Sequence, residues 1–106
     1  MPELAQPVVV GIDGTASGKE ALALGSAIGV LTGAPLILAA VYGFHGNVEL
    51  EWPPRSTAQS WLDEAQEELG DIVPSSTRLV LSSSPARGLV TLARREHARM
   101  IVVGSS

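Results

Sequence analysis

VVVGIDGTASGKEAL, residues 8–22, runs from a row of valines through a glycine-rich turn into the start of a helical pattern. Residues 8–12 form a short, continuous, β-branched apolar run, which is how a strand buried on both faces reads. The turn that follows approaches the P-loop spacing G-x-x-x-x-G-K-[ST], because Gly18-Lys19 is present and small residues precede it. Two positions break the match. Asp13 stands where the first glycine belongs, placing a carboxylate where backbone should wrap a polyanion, and Glu20 replaces the hydroxyl residue that would ligate magnesium. This argues against a P-loop kinase or ATPase. Ser17-Gly18-Lys19-Glu20 fits the capping box S-x-x-E and predicts that a helix begins there. Ala21, Leu24, Gly25, Ile28 and Leu31 recur at three- and four-residue steps as its apolar stripe, until Thr32-Gly33-Ala34-Pro35 ends it.

Working outward, PLILAAV (residues 35–41) is a second buried-strand run, its proline tolerable at the first position. Residues 42–55, YGFHGNVELEWPPR, have no period and read as a long loop, with Phe44, His45 and Trp52 either lining a pocket or folding the loop onto the core. Ser56-Thr57-Ala58-Gln59 offers another capping box. Trp61 or Leu62, Ala65 and Leu69 then form a stripe, and Asp63, Glu64, Glu67 and Glu68 a solvated face. TRLVL (residues 77–81) is a third strand, and Ser84-Pro85 a cap followed by proline at the first helical position. Ala86, Leu89, Val90 and Ala93 give the third helix its buried side. Arg94, Arg95 and Arg99 fall near its C-terminal end, where unsatisfied carbonyls favour cations. MIVVG (residues 100–104) closes the series as a fourth strand.

The bulk properties limit the function classes. A chain of 106 residues is one small domain, able to bury roughly 60–70% of the surface its unfolded form exposes. Seven basic and eleven acidic residues give a net charge of -4, and the arginines are scattered along the sequence, so nothing resembles the basic stripe of a nucleic-acid binder. With no cysteine there are no disulfides, thiolate zinc sites or cysteine nucleophiles, and the two histidines, His45 and His97, stand in unrelated contexts. The N-terminus MPELAQP has no leader pattern, and no apolar run approaches the roughly 18 residues of a membrane span, so a cytoplasmic protein without a membrane partner is expected.

Strand and helix alternate throughout, the pattern of a parallel sheet with helices on its faces and right-handed crossovers. In such sheets ligands bind beyond the carboxyl ends of the strands, where strand order reverses. Asp13 and Gly104 both sit at such ends.

These residues resemble the universal stress protein family. V-V-V-G-I-D-G-T-A-S is similar to that family's opening V-x-V-G-x-D-G-S-x-x-S, and Ala98-Arg99-Met100-Ile101-Val102-Val103-Gly104-Ser105-Ser106 resembles its A-D-x-I-V-V-G-S. The resemblance covers essentially the whole chain and implies a three-layer αβα, Rossmann-like fold. The family's strand order is 3-2-1-4-5, and the order expected here is 3-2-1-4. It also implies an adenine nucleotide, ATP or AMP, at the reversal between strands one and four, with magnesium only alongside ATP, and action through a homodimer without catalysis. The implied lining is Gly11, Ile12, Asp13, Gly14, Val41, Val103, Gly104 and Ser105. Asp13 would contact the adenosine, Val41 would meet the adenine through its backbone, and Gly104 would begin the phosphate loop. Such roles suit the residues, since a carboxylate accepts from ribose hydroxyls or an amine and a glycine lets backbone approach phosphate.

The sequence departs from the family pattern at several points. The glycine usually found two residues before the third-helix proline is Ser83, and the aspartate of A-D-x-I-V-V-G is Arg99. Only Gly104, Ser105 and Ser106 of the phosphate loop are present, and the family's last helix and strand are not, so a shortened domain is expected. Helix three would then stand alone on its face of the sheet. At roughly 25 cal/mol per Å² of apolar surface left uncovered, a lone monomer is expected to be marginal.

Three functions are weighed. The first is a nucleotide-binding regulatory domain of the stress response. The second is an interaction module of the same fold, in which Asp13 only caps the turn. The third is a phosphoacceptor receiver, which wants an acidic pair after strand one and an aspartate closing strand three, where this chain has Asp13 alone and Ser82-Ser83-Ser84. No nucleophile is followed by a recognisable base, so catalysis is not expected.

Overall fold

A computed structural model describes residues 6–43 and 53–104. The elements, in chain order, are β1 (Val8–Gly11), α1 (Ala16–Thr32), β2 (Leu36–Tyr42), α2 (Arg55–Leu69), β3 (Ser75–Leu81), α3 (Pro85–Arg95) and β4 (Met100–Val102). All pairings are parallel and the strand order is β3-β2-β1-β4, as expected. Register is continuous across the centre: Val9 pairs with Ile37 on one side and with Ile101 on the other.

The alternation of side chains along β1 and β2 divides the core in two. Val8, Val10, Leu36, Leu38 and Ala40 pack with Leu22 of α1 and Leu62 of α2 on one face; Val9, Ile37, Ala39 and Val41 pack with Leu89 and Leu92 of α3 on the other. Both central strands are therefore buried on both sides, which is why they read as unbroken apolar runs. The expected assignment of α1 and α2 to one face and α3 to the other holds.

Helix boundaries and phases differ from the sequence pattern in instructive ways. α1 starts at Ala16 with Thr15 as its cap, not at the Ser17 capping box, because the Thr15 hydroxyl already accepts from the Gly18 N–H at 3.4 Å. Its buried face is Gly18, Ala21, Leu22, Gly25 and Gly29, while Leu24 and Leu31, expected inside, are 55% and 84% exposed. A Cβ on Gly25 would come within 2.6 Å of Val10 Cγ2, so a ridge of small residues sets how closely α1 lies on the sheet. α2 starts at Arg55 behind Pro54, whose carbonyl takes the N–H groups of Thr57 and Ala58, and Ser56 lies inside the helix. Leu62, in phase with Ala58, Ala65 and Leu69, fills the core, and Trp61 stands half-buried at its border. In α3 the expected cap holds, with Ser84 Oγ accepting from Arg87 N–H at 3.3 Å. Leu89 is buried and Ala93 partly buried as expected, but Gly88 and Leu92 are buried in place of Ala86 and Val90, which are exposed. A Cβ on Gly88 would meet Ser82, Val41 and Val80 at 3.0–3.2 Å, and this close seat on the sheet fixes the phase.

β3 begins two residues before the expected TRLVL run, and β4 ends at Val102 instead of running to Gly104. The Gly43 N–H donates to the Pro53 carbonyl at 3.2 Å; the expectation of a long loop with Phe44, His45 and Trp52 falls on residues 44–52, outside the described residues. Three of the six arginines, scattered in sequence, gather in space. Arg78, Arg87 and Arg95 line one hollow of about 320 Å³ between β3 and α3, where Arg78 Nε lies 3.5 Å from Glu96 Oε2. No helix among the described residues is long and apolar enough to cross a membrane.

Candidate functional site

The chain runs β1, β2, β3 outward in one direction and then returns to set β4 on the other side of β1. That reversal leaves a crevice at the carboxyl ends of β1 and β4, and a cavity of about 500 Å³ occupies it. Strand tips supply an aliphatic lining: Gly11 from β1, Ala39 and Val41 from β2, and Val103 just after β4. The turn Ile12-Asp13-Gly14-Thr15 and Gly18 of α1 add one side, Pro85 and Leu89 of α3 another, and Gly104 and Trp61 complete it. Every lining residue expected from the sequence is brought together here except Ser105, which lies outside the described residues.

Asp13 carries the single charge among these lining residues. Its Oδ1 accepts from the Thr15 N–H at 3.0 Å and from the Thr15 hydroxyl at 2.6 Å. The side chain therefore closes the turn on itself, a local bond of the kind aspartate makes two residues ahead. One carboxylate oxygen is thus engaged in shaping the loop, and the exposed Asp13 side chain is held in a fixed orientation at the crevice.

The glycines of the site are required by their neighbours. Gly14 has φ +75°, a backbone conformation that side chains disfavour, and a Cβ there would collide with the pyrrole atoms of Trp61. A Cβ on Gly11 would lie 3.1 Å from Leu89 Cδ1 and 3.3 Å from Val103 Cγ1, pressing on the crevice wall. One on Gly104 would overlap the carbonyl of Ser17.

A second cavity, about 490 Å³, adjoins the first between α1 and α2 and shares Ile12, Gly14, Thr15, Gly18 and Trp61 with it. Lys19, Glu64, Glu67 and Glu68 edge this neighbour, so the surroundings of the crevice carry more negative than positive charge. Among the described residues no group of three or more His, Cys, Asp or Glu could hold a metal ion. The arrangement is suited to a flat, largely apolar ring that presents hydroxyl or amine donors to one carboxylate.

Sequence reasoning missed Trp61, Thr15, Gly18, Ala39, Pro85 and Leu89 as lining residues. Trp61 carried a usable signal: once Leu62 is taken as the core residue in phase with Ala58, Ala65 and Leu69, the indole one position earlier falls off the core stripe.

The chain matches the profile of the universal stress protein family over residues 5–106. It belongs to that family. Its structure is similar to a universal stress protein crystallised in complex with cAMP, at 25% identity and a TM-score of 0.75, covering 95% of this chain and 77% of that one. It is also similar to a protein of the same family from Burkholderia pseudomallei, at 23% identity and a TM-score of 0.80, covering 99% and 85%. A universal stress protein from Archaeoglobus fulgidus aligns at 18% identity and a TM-score of 0.77, covering 92% and 73%. None of the curated proteins gives a significant match.

Proposed function

We propose that this domain is a regulatory module that binds an adenine nucleotide in the crevice between β1 and β4. The observation that carries this reading is the convergence of Asp13, Val41, Val103 and Gly104, from three separate strand ends, on one cavity of about 500 Å³. That volume falls in the range of small-ligand sites. A similar protein has been crystallised with cAMP, which supports the adenine class. Asp13 accepts from the ribose hydroxyls or an amine, the backbone at Val41 reads the adenine edge, and the chain at Gly104-Ser105 approaches the phosphate, with magnesium entering only with ATP. The domain works in the cytoplasm by ligand-dependent contacts, including those of a homodimer, and not by catalysis. Isothermal titration with AMP, ATP and cAMP, with and without magnesium, tests this: saturable binding of at least one is expected, and silence with all three overturns it.

A second reading rests on a specific observation. Asp13 is engaged by Thr15 and Gly104 by its approach to Ser17, so both residues have structural duties that need no ligand. On that reading the domain is an interaction module of the same fold, and the same titration distinguishes the two.

A further inference from the structure

We infer that Trp61 is the aromatic wall on which the base of a bound nucleotide lies. This deepens the nucleotide reading and rests on it. Trp61 comes from α2, on the opposite face of the sheet from α3, yet it lines the same crevice as Leu89 and Val103. It reaches this place because Gly14 has no side chain: the pyrrole edge of the indole occupies the space a Cβ at position 14 would fill. The ring is therefore held by packing and by its own helix before any ligand arrives.

Three further facts favour a binding role over simple core filling. Leu62 is fully buried and completes the α2 stripe, whereas Trp61 is only half-buried and borders two cavities. The other apolar side chains of the crevice, Ile12, Ala39, Val41, Pro85, Leu89 and Val103, are aliphatic, so among the described residues Trp61 supplies its aromatic surface. No cationic side chain is among the described lining residues, and Asp13 is the charged one. The described part of the site thus has little to offer a phosphate and much to offer a flat ring, whose faces stack on an indole whatever its hydrogen-bonding edge. A rigid aromatic already in place also loses little conformational freedom when the ligand binds.

The test uses the full chain carrying W52F, which leaves Trp61 as the sole tryptophan of the two in the sequence. AMP is expected to change Trp61 emission saturably, and ribose 5-phosphate, which has no base, to leave it unchanged. W61F should keep AMP affinity within a few-fold, and W61L should weaken it roughly five- to hundredfold, the range of one base stacked on an aromatic ring. W61L binding AMP as tightly as the parent, or Trp61 emission unmoved by saturating AMP, overturns the inference while leaving the nucleotide reading intact. Failure of the parent to bind AMP, ATP or cAMP by calorimetry overturns both. Should W61L not fold, the emission change and the W61F affinity still decide the matter.

Discussion

Gly104 lies so close to the carbonyl of Ser17, in the first turn of α1, that any side chain at position 104 would overlap it. This contact draws the chain just after β4 onto the start of α1 and puts Gly104 into the same crevice as Asp13. Backbone cannot rotate out of the way as a side chain can. Gly104→Ala is therefore expected to lower stability by about 1–3 kcal/mol, read as a reduced urea midpoint, and to weaken nucleotide binding. An unchanged midpoint would contradict the close approach.

Two glycines with nearly the same backbone separate conformational strain from contact. Gly14 and Gly33 have φ of +75° and +76°, but a Cβ meets Trp61 at the first and open space at the second. Gly33→Ala should cost about 1–2 kcal/mol, the usual penalty of the left-handed conformation. Gly14→Ala should cost clearly more, since the indole must also move. Equal losses in denaturant titrations would show that Trp61 does not rest on Gly14.

Two substitutions of Asp13 distinguish the two duties of its carboxylate. Asp13→Asn keeps an oxygen that can accept from Thr15, so this variant should melt close to the parent while binding AMP more weakly. Asp13→Ala removes the acceptor as well and should lose about 1 kcal/mol, comparable with loss of a helix cap. If both variants melt like the parent, the bonds from Thr15 at 3.0 and 2.6 Å contribute nothing to stability.

The phase of α1 is testable with leucines alone. Leu22→Ala, at a position 5% exposed, should cost about 2–5 kcal/mol by leaving a cavity. Leu31→Ala, at a position 84% exposed, should stay within about 0.5 kcal/mol. The apolar stripe read from sequence expects Leu31 to matter, so the reverse ranking would restore that stripe.

Leu31 also shows where sequence reading reaches its limit. α1 is apolar nearly all the way round, so periodicity could not fix its phase, and the deciding fact was the close approach of Gly25 to Val10 across the interface. α2 was legible because Asp63, Glu64, Glu67 and Glu68 mark its wet side. The central strands were legible because burial on both faces leaves no polar position to interrupt them. In the site, the local parts were readable, namely the tip of β1 and the turn at Asp13. The sequence pattern pointed to Ser17 as the cap of α1, and the cap falls instead on Thr15, whose hydroxyl accepts from the Gly18 N–H. Trp61, Pro85 and Leu89 enter from elements far along the chain, so only tertiary packing shows that they share a crevice.

The sheet separates more than two sets of hydrophobic side chains. Asp63, Glu64, Glu67 and Glu68 ride on α2, Arg87, Arg94 and Arg95 on α3, and those helices pack on opposite sides of the strands. In a chain whose charges sum to -4, these two helices therefore set a cluster of carboxylates and a cluster of guanidiniums on opposite sides of the sheet. Near a charged resin or another protein, the separation of these two clusters biases orientation in a way the sum does not.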